Sequence, residues 1–218
     1  MKEFNEEIIR LENEKDYEYI KRKYGKYPIL LTSVHSMCQI KDGQVIKLNE
    51  SFTKGLVKYI AEKMNLSYLI KIKDDGVDTN HVENDAFKNE LERFIKENDI
   101  RLVLDFHGAS IDREFDVELG TLDNLSADFS TIKELRDSFI ENEIEKVFIN
   151  TPFKGGMITQ CVFMLTKSEA IQIEINKKYR DINNIQNIRK FCESIINFID
   201  EYIEVLNLAN EKKFLRKT

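Results

Sequence analysis

The chain has 218 residues, of which 42% are hydrophobic and 33% charged, and its formal net charge is −6. This length fits one domain spanning residues 1–218 with a substantial core, and the acidic balance argues against nucleic acid, whose partners usually carry a basic stripe. No apolar run has membrane-spanning length, no signal-peptide core is present, and three widely spaced cysteines do not suggest a disulfide framework, so we expect a cytoplasmic protein with no membrane partner.

Hydrophobic periodicity predicts helices that alternate with short apolar strands. In chain order the pattern predicts a helix over 3–24, a strand over 27–33, irregular structure over 36–49, a helix over 51–64, a strand over 67–73, a loop over 74–84, a helix over 87–95, strands over 100–106 and 115–119, a helix over 131–145, strands over 147–149, 158–165 and 170–175, and a helix over 184–208. This alternation indicates an α/β fold, a three-layer sandwich.

Two of the three histidines stand where predicted strands end. His35 follows the strand 27–33, and His107 follows the strand 100–106. One such histidine is more often structural than functional, but active sites of open α/β sheets gather at the carboxyl ends of strands. Two imidazoles there are typical of a catalytic zinc site. Asp105 shares a strand face with His107 and is a candidate partner for its non-coordinating nitrogen.

A glutamate lies inside the apolar strand predicted over 170–175. Gln172 and Glu174 alternate with isoleucines and therefore face the side of the strand opposite to them. The ordinary interpretation is an edge strand with a solvated face. The functional interpretation is a carboxylate over a cleft, able to take a proton from an activated water and deliver it to a leaving nitrogen. We predict that Glu174 is the catalytic base.

The third metal ligand has two candidates. Cys38 lies three residues after His35, a plausible spacing for a soft ligand, whereas Glu50 precedes a predicted helix, where the helix dipole alone would favour an acidic residue. We prefer Glu50, because two histidines and a carboxylate suit a hydrolytic Zn²⁺ with an open coordination position. Another divalent metal is compatible with the same ligands.

Several polar residues are candidates for binding an anionic substrate. The loop with Lys154, Gly155 and Gly156 has an ordinary interpretation as a turn, but its lysine and glycine amides also suit an anion. Arg180 is a candidate carboxylate clamp. In the segment 78–81, Asp78 is predicted to support the site from outside the metal ligands and Asn80 to contact substrate, whereas we expect His81 at the surface.

Taken together and in order, these motifs resemble those of the N-formylglutamate amidohydrolase family, a branch of the zinc carboxypeptidase-like hydrolases. The similar segments are Ser33–Ser36 to its Pro-His-Ser, Asp78–Asn80 to its Asp-x-Asn, Asp105–Gly108 to its Asp-Cys-His-Ser, Asp116–Gly120 to its Leu-Gly segment, Pro152–Gly156 to its Pro-Tyr-Lys-Gly-Gly, and Ile171–Asn176 to the segment with its catalytic glutamate. The chain departs from the family at Val34, where proline is usual, and at His81, where arginine is usual.

The resemblance implies a mixed central sheet flanked by helices, of the zinc-carboxypeptidase-like (phosphorylase/hydrolase-like) kind. It implies Zn²⁺ held by His35, His107 and an acidic residue near Glu50, with Glu174 as general base. The implied activity is hydrolysis of the amide of a small anionic N-acyl amino acid such as N-formylglutamate. The alternatives are a related metallopeptidase or cell-wall amidase, and a non-catalytic binding protein that keeps the fold. No oligomeric state is predicted.

Overall fold

A computed structural model of the chain describes residues 2–15 and 18–215. The helices are α1 (Lys2–Asn13), α2 (Thr53–Met64), α3 (Ala86–Glu97), α4 (Phe129–Glu141), α5 (Met157–Leu165) and α6 (Ile185–Leu215). The strands are β1 (Ile20–Lys23), β2 (Ile29–Ser33), β3 (Gln39–Lys41), β4 (Gln44–Lys47), β5 (Ser67–Lys71), β6 (Leu102–Ala109), β7 (Val117–Gly120), β8 (Val147–Ile149) and β9 (Glu169–Asn176). None of the described helices is long and apolar enough to cross a membrane.

Seven strands form one mixed sheet in the order β1-β5-β2-β6-β9-β7-β8. The central strands β5, β2, β6 and β9 are parallel, β1 is antiparallel to β5, and β7 is antiparallel to β9. Parallel strands are buried on both faces, which accounts for their nearly continuous apolar runs. Helices cover both faces, so the predicted mixed sheet flanked by helices is confirmed.

The two faces of the sheet carry different chemistry. One is apolar along its whole length and packs against α2, α4 and α6 through residues such as Leu56, Phe139 and Phe191. The other is apolar only near the amino ends of the strands, where Val103 and Ala170 pack with residues of α3 and α5. Further along β6 and β9 the same face becomes polar, since side chains two apart in a strand share a face. This polar half of the face is where the candidate site lies.

Three predicted elements are wrong. The helix predicted over 3–24 ends at Asn13, and Ile20–Lys23 is an edge strand; residues 16 and 17 of that range lie outside the described residues. The segment 36–49 contains the hairpin β3–β4, whose turn residues Asp42 and Gly43 both have positive φ, as a type I′ turn requires. The strand predicted over 158–165 is helix α5.

The sequence of helix α5 predicts a strand because it is a short apolar run, and such a run does not reveal its period. Its buried residues include Ile158 and Val162, which are four apart and therefore share one helix face. Met164 and Leu165 are exposed, so the apolar character of these two residues does not indicate a buried strand.

Candidate active site

The fold brings His35, Glu50 and His107 together as a buried cluster, with one candidate ligand atom from each residue within 4.8 Å of the others. His35 follows β2 and His107 lies in the neighbouring parallel strand β6, so both reach the same edge of the sheet. Glu50 is fixed by two backbone contacts: its N–H donates to the His35 carbonyl at 2.8 Å, and its Oε2 accepts from the Gly108 N–H at 2.8 Å.

Both imidazoles are oriented by carboxylates on their outer side. His35 Nε2 lies 2.8 Å from Asp78 Oδ1, and His107 Nε2 lies 2.7 Å from Asp105 Oδ2. An ionised carboxylate only accepts hydrogen bonds, so each Nε2 carries the proton. The two Nδ1 atoms face Glu50, with His35 Nδ1 3.0 Å from Oε1 and His107 Nδ1 3.4 Å from Oε2.

This donor set fits a divalent cation such as Zn²⁺. Two Nδ1 atoms and a carboxylate converge, leaving room for a further ligand, and the carboxylates behind the imidazoles are those that commonly orient histidine ligands. Glu50 lies beside the two histidines, whereas Cys38 is outside this group and its Sγ faces Asn49 Oδ1 at 3.6 Å. The preference for Glu50 over Cys38 therefore agrees with the geometry.

The electrostatics of the cluster favour positive charge. Burial alone would raise the pKa of Glu50, but the charge of His107 and hydrogen bonds from both imidazoles hold it well below the ordinary value. Burial opposes charge on His107, yet Asp105 and Glu50 raise the pKa of this imidazole well above its ordinary value. Burial likewise acts against ionised Asp78, but the bond with His35 lowers its pKa to about 2. Protons and metal ions therefore compete for this site.

The loop that carries Asp78 and Asn80 is anchored by a buried lysine. Lys71 Nζ donates to the Val77 carbonyl at 2.7 Å and pairs with Asp75 Oδ1 at 2.7 Å. Burial lowers the pKa of Lys71, against the charges of nearby aspartates. Asn80 reaches the cavity, with its Nδ2 3.5 Å from His107 Nε2. The side chain of His81 is 82% exposed, as expected for a surface residue.

Glu174 lies beside the cluster, in register with His107 on the adjacent strand. Its Oε1 accepts a hydrogen bond from Gln172 Nε2 at 2.6 Å. Burial raises the pKa of Glu174, and the Glu50 carboxylate adds to this, whereas His107 and Gln172 act in the opposite direction. A carboxylate with a raised pKa beside a cation site has the properties of a general base.

One cavity of about 390 Å³ joins these groups. It is lined by the three cluster residues and Glu174, and by four of the predicted substrate-binding residues, Asn80, Lys154, Gly155 and Gly156. Lys154 is paired with Asp123 at 2.9 Å in an exposed ion pair, which is a weak interaction. The structure thus places these residues around one space, and their roles remain predictions.

Arg180 does not occupy the place predicted for it. The side chain is buried, and its guanidinium donates to the backbone carbonyls of Ser51, Ala109 and Ile175 at 2.7–3.0 Å. It is absent from the residues that line the 390 Å³ cavity, and it lines a neighbouring cavity of about 610 Å³. With its donors turned to the backbone, Arg180 braces the loops around the cluster instead of clamping a carboxylate.

The motifs in the sequence do not predict two cations and one acid that the structure places at or beside the cavity. Arg113 lines the cavity and lies over the Phe153 ring, 5.0 Å from its centroid, while Lys47 Nζ is 2.9 Å from Glu50 Oε1. Loop and hairpin conformations bring Arg113 and Lys47 to the cavity, and no local sequence pattern predicts those conformations. Glu118 is fully buried opposite Glu174, and the pattern that drew attention to Glu174, an acid inside an apolar strand, also occurs in β7.

No protein-family model matches the sequence, and no curated protein matches it. Solved structures do match. A gene product of Agrobacterium tumefaciens has a TM-score of 0.62 at 12% identity, over 87% of this chain and 95% of that chain. N-formylglutamate amidohydrolase from Ralstonia eutropha has a TM-score of 0.61 at 12% identity, over 85% and 98%. A bacteriophage poly-gamma-glutamate hydrolase has a TM-score of 0.56 at 12% identity, over 88% and 93%.

These likenesses establish the fold. The chain has the zinc-carboxypeptidase-like (phosphorylase/hydrolase-like) architecture that its motifs predicted, as a single mixed sheet with helices on both faces. Within that architecture, the buried His35, Glu50 and His107 form the cluster suited to a metal ion.

Proposed function

We propose that this chain is a metal-dependent hydrolase that cleaves the amide of a small anionic N-acyl amino acid such as N-formylglutamate. The observation that carries the proposal is the buried cluster of His35, Glu50 and His107 in the same cavity as Glu174. The shared fold of an N-formylglutamate amidohydrolase supports it, as does the ordered resemblance of the motifs.

Zn²⁺ held by His35, Glu50 and His107 would supply a Lewis acid that polarises the amide carbonyl and makes water a better nucleophile. Asp78 and Asp105 hold the two imidazoles in the tautomer that leaves Nδ1 free to bind metal. Glu174 accepts a proton from the attacking water and then donates it to the leaving nitrogen. Its raised pKa suits this exchange, because the same carboxyl must both take up and release the proton.

The cavity also offers groups that suit a substrate carboxylate. Arg113 lies over the Phe153 ring, an arrangement that orients its planar guanidinium, and arginine can bind a carboxylate through two parallel hydrogen bonds. Lys154 adds a point charge at the rim, although Asp123 competes for it. Arg113 thus takes the place of Arg180 as the proposed anchor for the substrate's negative charge.

A second candidate substrate is an amide within a longer chain, as in a peptide or a cell-wall polymer. The neighbouring cavity of about 610 Å³ shares Glu50 and Gly108 with the first and is also lined by Leu48, Lys177 and Arg180. A longer substrate would therefore have space in both cavities beside the cluster. The fold shared with a poly-gamma-glutamate hydrolase and with an N-acetylmuramoyl-L-alanine amidase is consistent with this candidate.

The test combines metal analysis of the purified chain with hydrolysis of N-formylglutamate. We expect about one metal ion per chain, and we expect Glu174→Gln to retain the metal while losing at least about 10²-fold in kcat, the usual contribution of a general base. The matched control is Glu169→Gln at the other end of β9, which should keep full activity. Full activity in Glu174→Gln would refute the assignment of the base.

A panel of N-acyl amino acids and short peptides separates the two substrate classes. Faster hydrolysis of the peptides would favour the longer substrate. A chain that binds no metal and whose stability is indifferent to chelators would instead be a binding protein with this fold.

A further inference from the structure

Glu118 is a fully buried carboxyl group that has no role in the proposed hydrolysis. It lies on β7 directly opposite Glu174 of the antiparallel neighbour β9. Residues directly opposite each other in an antiparallel pair project from the same face of the sheet. Glu118 therefore stands on the polar face next to Glu174, one strand further from His107.

The hydrogen bonds around Glu118 leave two acceptor oxygens without a donor. Glu118 Oε1 accepts from the Phe153 N–H at 2.7 Å, but its Oε2 is buried and has no partner among the described residues. On β9, Gln172 donates its amide to Glu174 at 2.6 Å, while Gln172 Oε1 is likewise buried without a partner in the described part of the chain. Two such buried acceptors are costly, since each has lost its hydrogen bonds to water.

A proton on Glu118 would supply the hydrogen-bond donor that these two buried oxygens lack. A protonated carboxyl is a donor as well as an acceptor, and Gln172 is a diagonal neighbour of Glu118, within reach of a long side chain. The orientation of Gln172 is fixed, because an ionised Glu174 can only accept and so requires the amide nitrogen to face it. The Gln172 oxygen is then left to accept from Glu118.

The surroundings of Glu118 favour the protonated form. Burial raises the pKa of Glu118 to about 7, and the Glu174 carboxylate contributes in the same direction. Hydrogen bonds from the backbone of Phe153 and Thr151 and the charge of Arg113 oppose the rise without cancelling it. Among the described residues around Glu118, the positive charge of Arg113 therefore does not offset burial and the negative charge of Glu174.

We propose that Glu118 is a positioning residue that carries a proton and donates a hydrogen bond to the Gln172 oxygen, so that Gln172, which donates to Glu174, holds the Glu174 carboxylate in place as the base. The role of Glu174 in this inference rests on the proposed function, whereas the proton on Glu118 does not. The alternative is that Glu118 serves only as an acceptor for Phe153, which an ionised carboxylate would do equally well.

Infrared spectroscopy tests the proton directly. Below pH about 7 the wild-type chain should show the carbonyl stretch of a buried protonated carboxyl, and this band should fade as Glu118 ionises. The difference spectrum against Glu118→Gln should contain the band. Glu169→Gln is the matched control, since Glu169 also accepts from a backbone N–H, at 2.7 Å from Asp128. A difference spectrum against Glu118→Gln that lacks the band would overturn the proposal.

Stability against pH gives a second test with a defined sign. The pKa of Glu118 is raised from 4.5 to about 7 in the folded chain, so its favourable contribution is complete below pH 4.5 and is lost as pH rises through about 7. Glu118→Gln lacks this loss. The variant should therefore gain stability relative to wild type between those pH values and keep the gain above them. A difference that does not change with pH would contradict a proton on Glu118.

Kinetics then test the link to Glu174. Glu118→Gln keeps a donor and an acceptor, so its kcat should stay within about threefold of wild type below pH 7, whereas Glu118→Leu should lose about tenfold or more in kcat with a smaller change in KM. Equal losses in both variants would overturn the positioning role. Absence of any hydrolysis by the wild type would count against the proposed function alone, because the infrared result still decides where the proton lies.

Discussion

At the scale of single residues, the candidate site depends on which nitrogen of each imidazole faces a carboxylate. Asp78 and Asp105 accept hydrogen bonds from the Nε2–H groups, and this leaves the Nδ1 atoms of His35 and His107 directed toward Glu50. Such outer carboxylates fix the ring and increase the basicity of the ligand nitrogen. Their contribution can be measured without removing a metal ligand.

We expect Asp105→Asn to weaken zinc binding by about 10–100-fold, because the amide is a poorer acceptor for the His107 Nε2–H than the carboxylate. Competition with a chromophoric chelator measures this change. Asp99→Asn, an exposed substitution before the same strand, is the control and should bind zinc as tightly as wild type. Unchanged affinity in Asp105→Asn would show that Asp105 does not support the ligand.

The residues that could be found from the sequence are those fixed by strand ends. His35, His107 and Glu174 lie at or near the carboxyl ends of parallel strands, so their strand positions alone bring them to one edge. Arginines on loops follow no such rule. Arg180 lies close to Glu174 in sequence yet turns to the backbone, whereas Arg113 reaches the cavity through a loop path that no local pattern encodes.

At the scale of elements, the loop that carries Lys154, Gly155 and Gly156 depends on close packing against β7. Gly120 is the point of contact, since a Cβ built there would lie 2.5 Å from the Gly155 nitrogen and 2.9 Å from its Cα. Both are backbone atoms, which cannot move aside as a flexible side chain would. The absence of a side chain at Gly120 thus allows the loop to pack directly against β7.

Gly120→Ala should therefore displace the loop. We expect a loss of about 1–3 kcal/mol in the free energy of unfolding, as is usual for overpacking, together with a reduced kcat/KM and an unchanged metal content. Denaturant titration, kinetics and metal analysis measure the three effects. If stability falls while kcat/KM stays the same, the loop takes no part in binding substrate.

The sequence predicts helices and strands correctly where the hydrophobic pattern extends over enough residues to reveal its period. Helices α2, α3 and α4 and strands β2, β5, β6 and β9 lie close to their predicted positions. Helix α5 and the edge strand β1 are not predicted by the sequence, because each is short and its conformation is decided by neighbouring elements. The hairpin β3–β4 is largely exposed, so burial imposes little alternation on it.

At the scale of the whole molecule, the fold concentrates acidic groups at one end of a buried sheet face. Glu50, Asp78, Asp105 and Glu174 are at most 8% exposed and lie around the imidazoles of His35 and His107. The parallel pairing of β6 and β9 places Asp105 and Glu174 there, whereas Glu50 and Asp78 reach the same place from loops. The negative charge collected there is favourable only with protons or a cation among the carboxylates, so stability of the whole fold should respond to metal.

Removal of metal should lower the melting temperature of the chain. Free Zn²⁺ at about 1,000 times its dissociation constant would stabilise the folded state by about 4 kcal/mol, because the unfolded chain does not hold the three ligands together. Differential scanning calorimetry with added zinc and with a chelator measures the shift. His35→Ala should remove most of it, since the remaining ligands bind more weakly, whereas Asp99→Asn should respond like wild type. Within the described residues, His35 belongs to no group of candidate ligands other than this cluster. An equal response to chelator in wild type and His35→Ala would therefore show that the stabilising metal binds elsewhere.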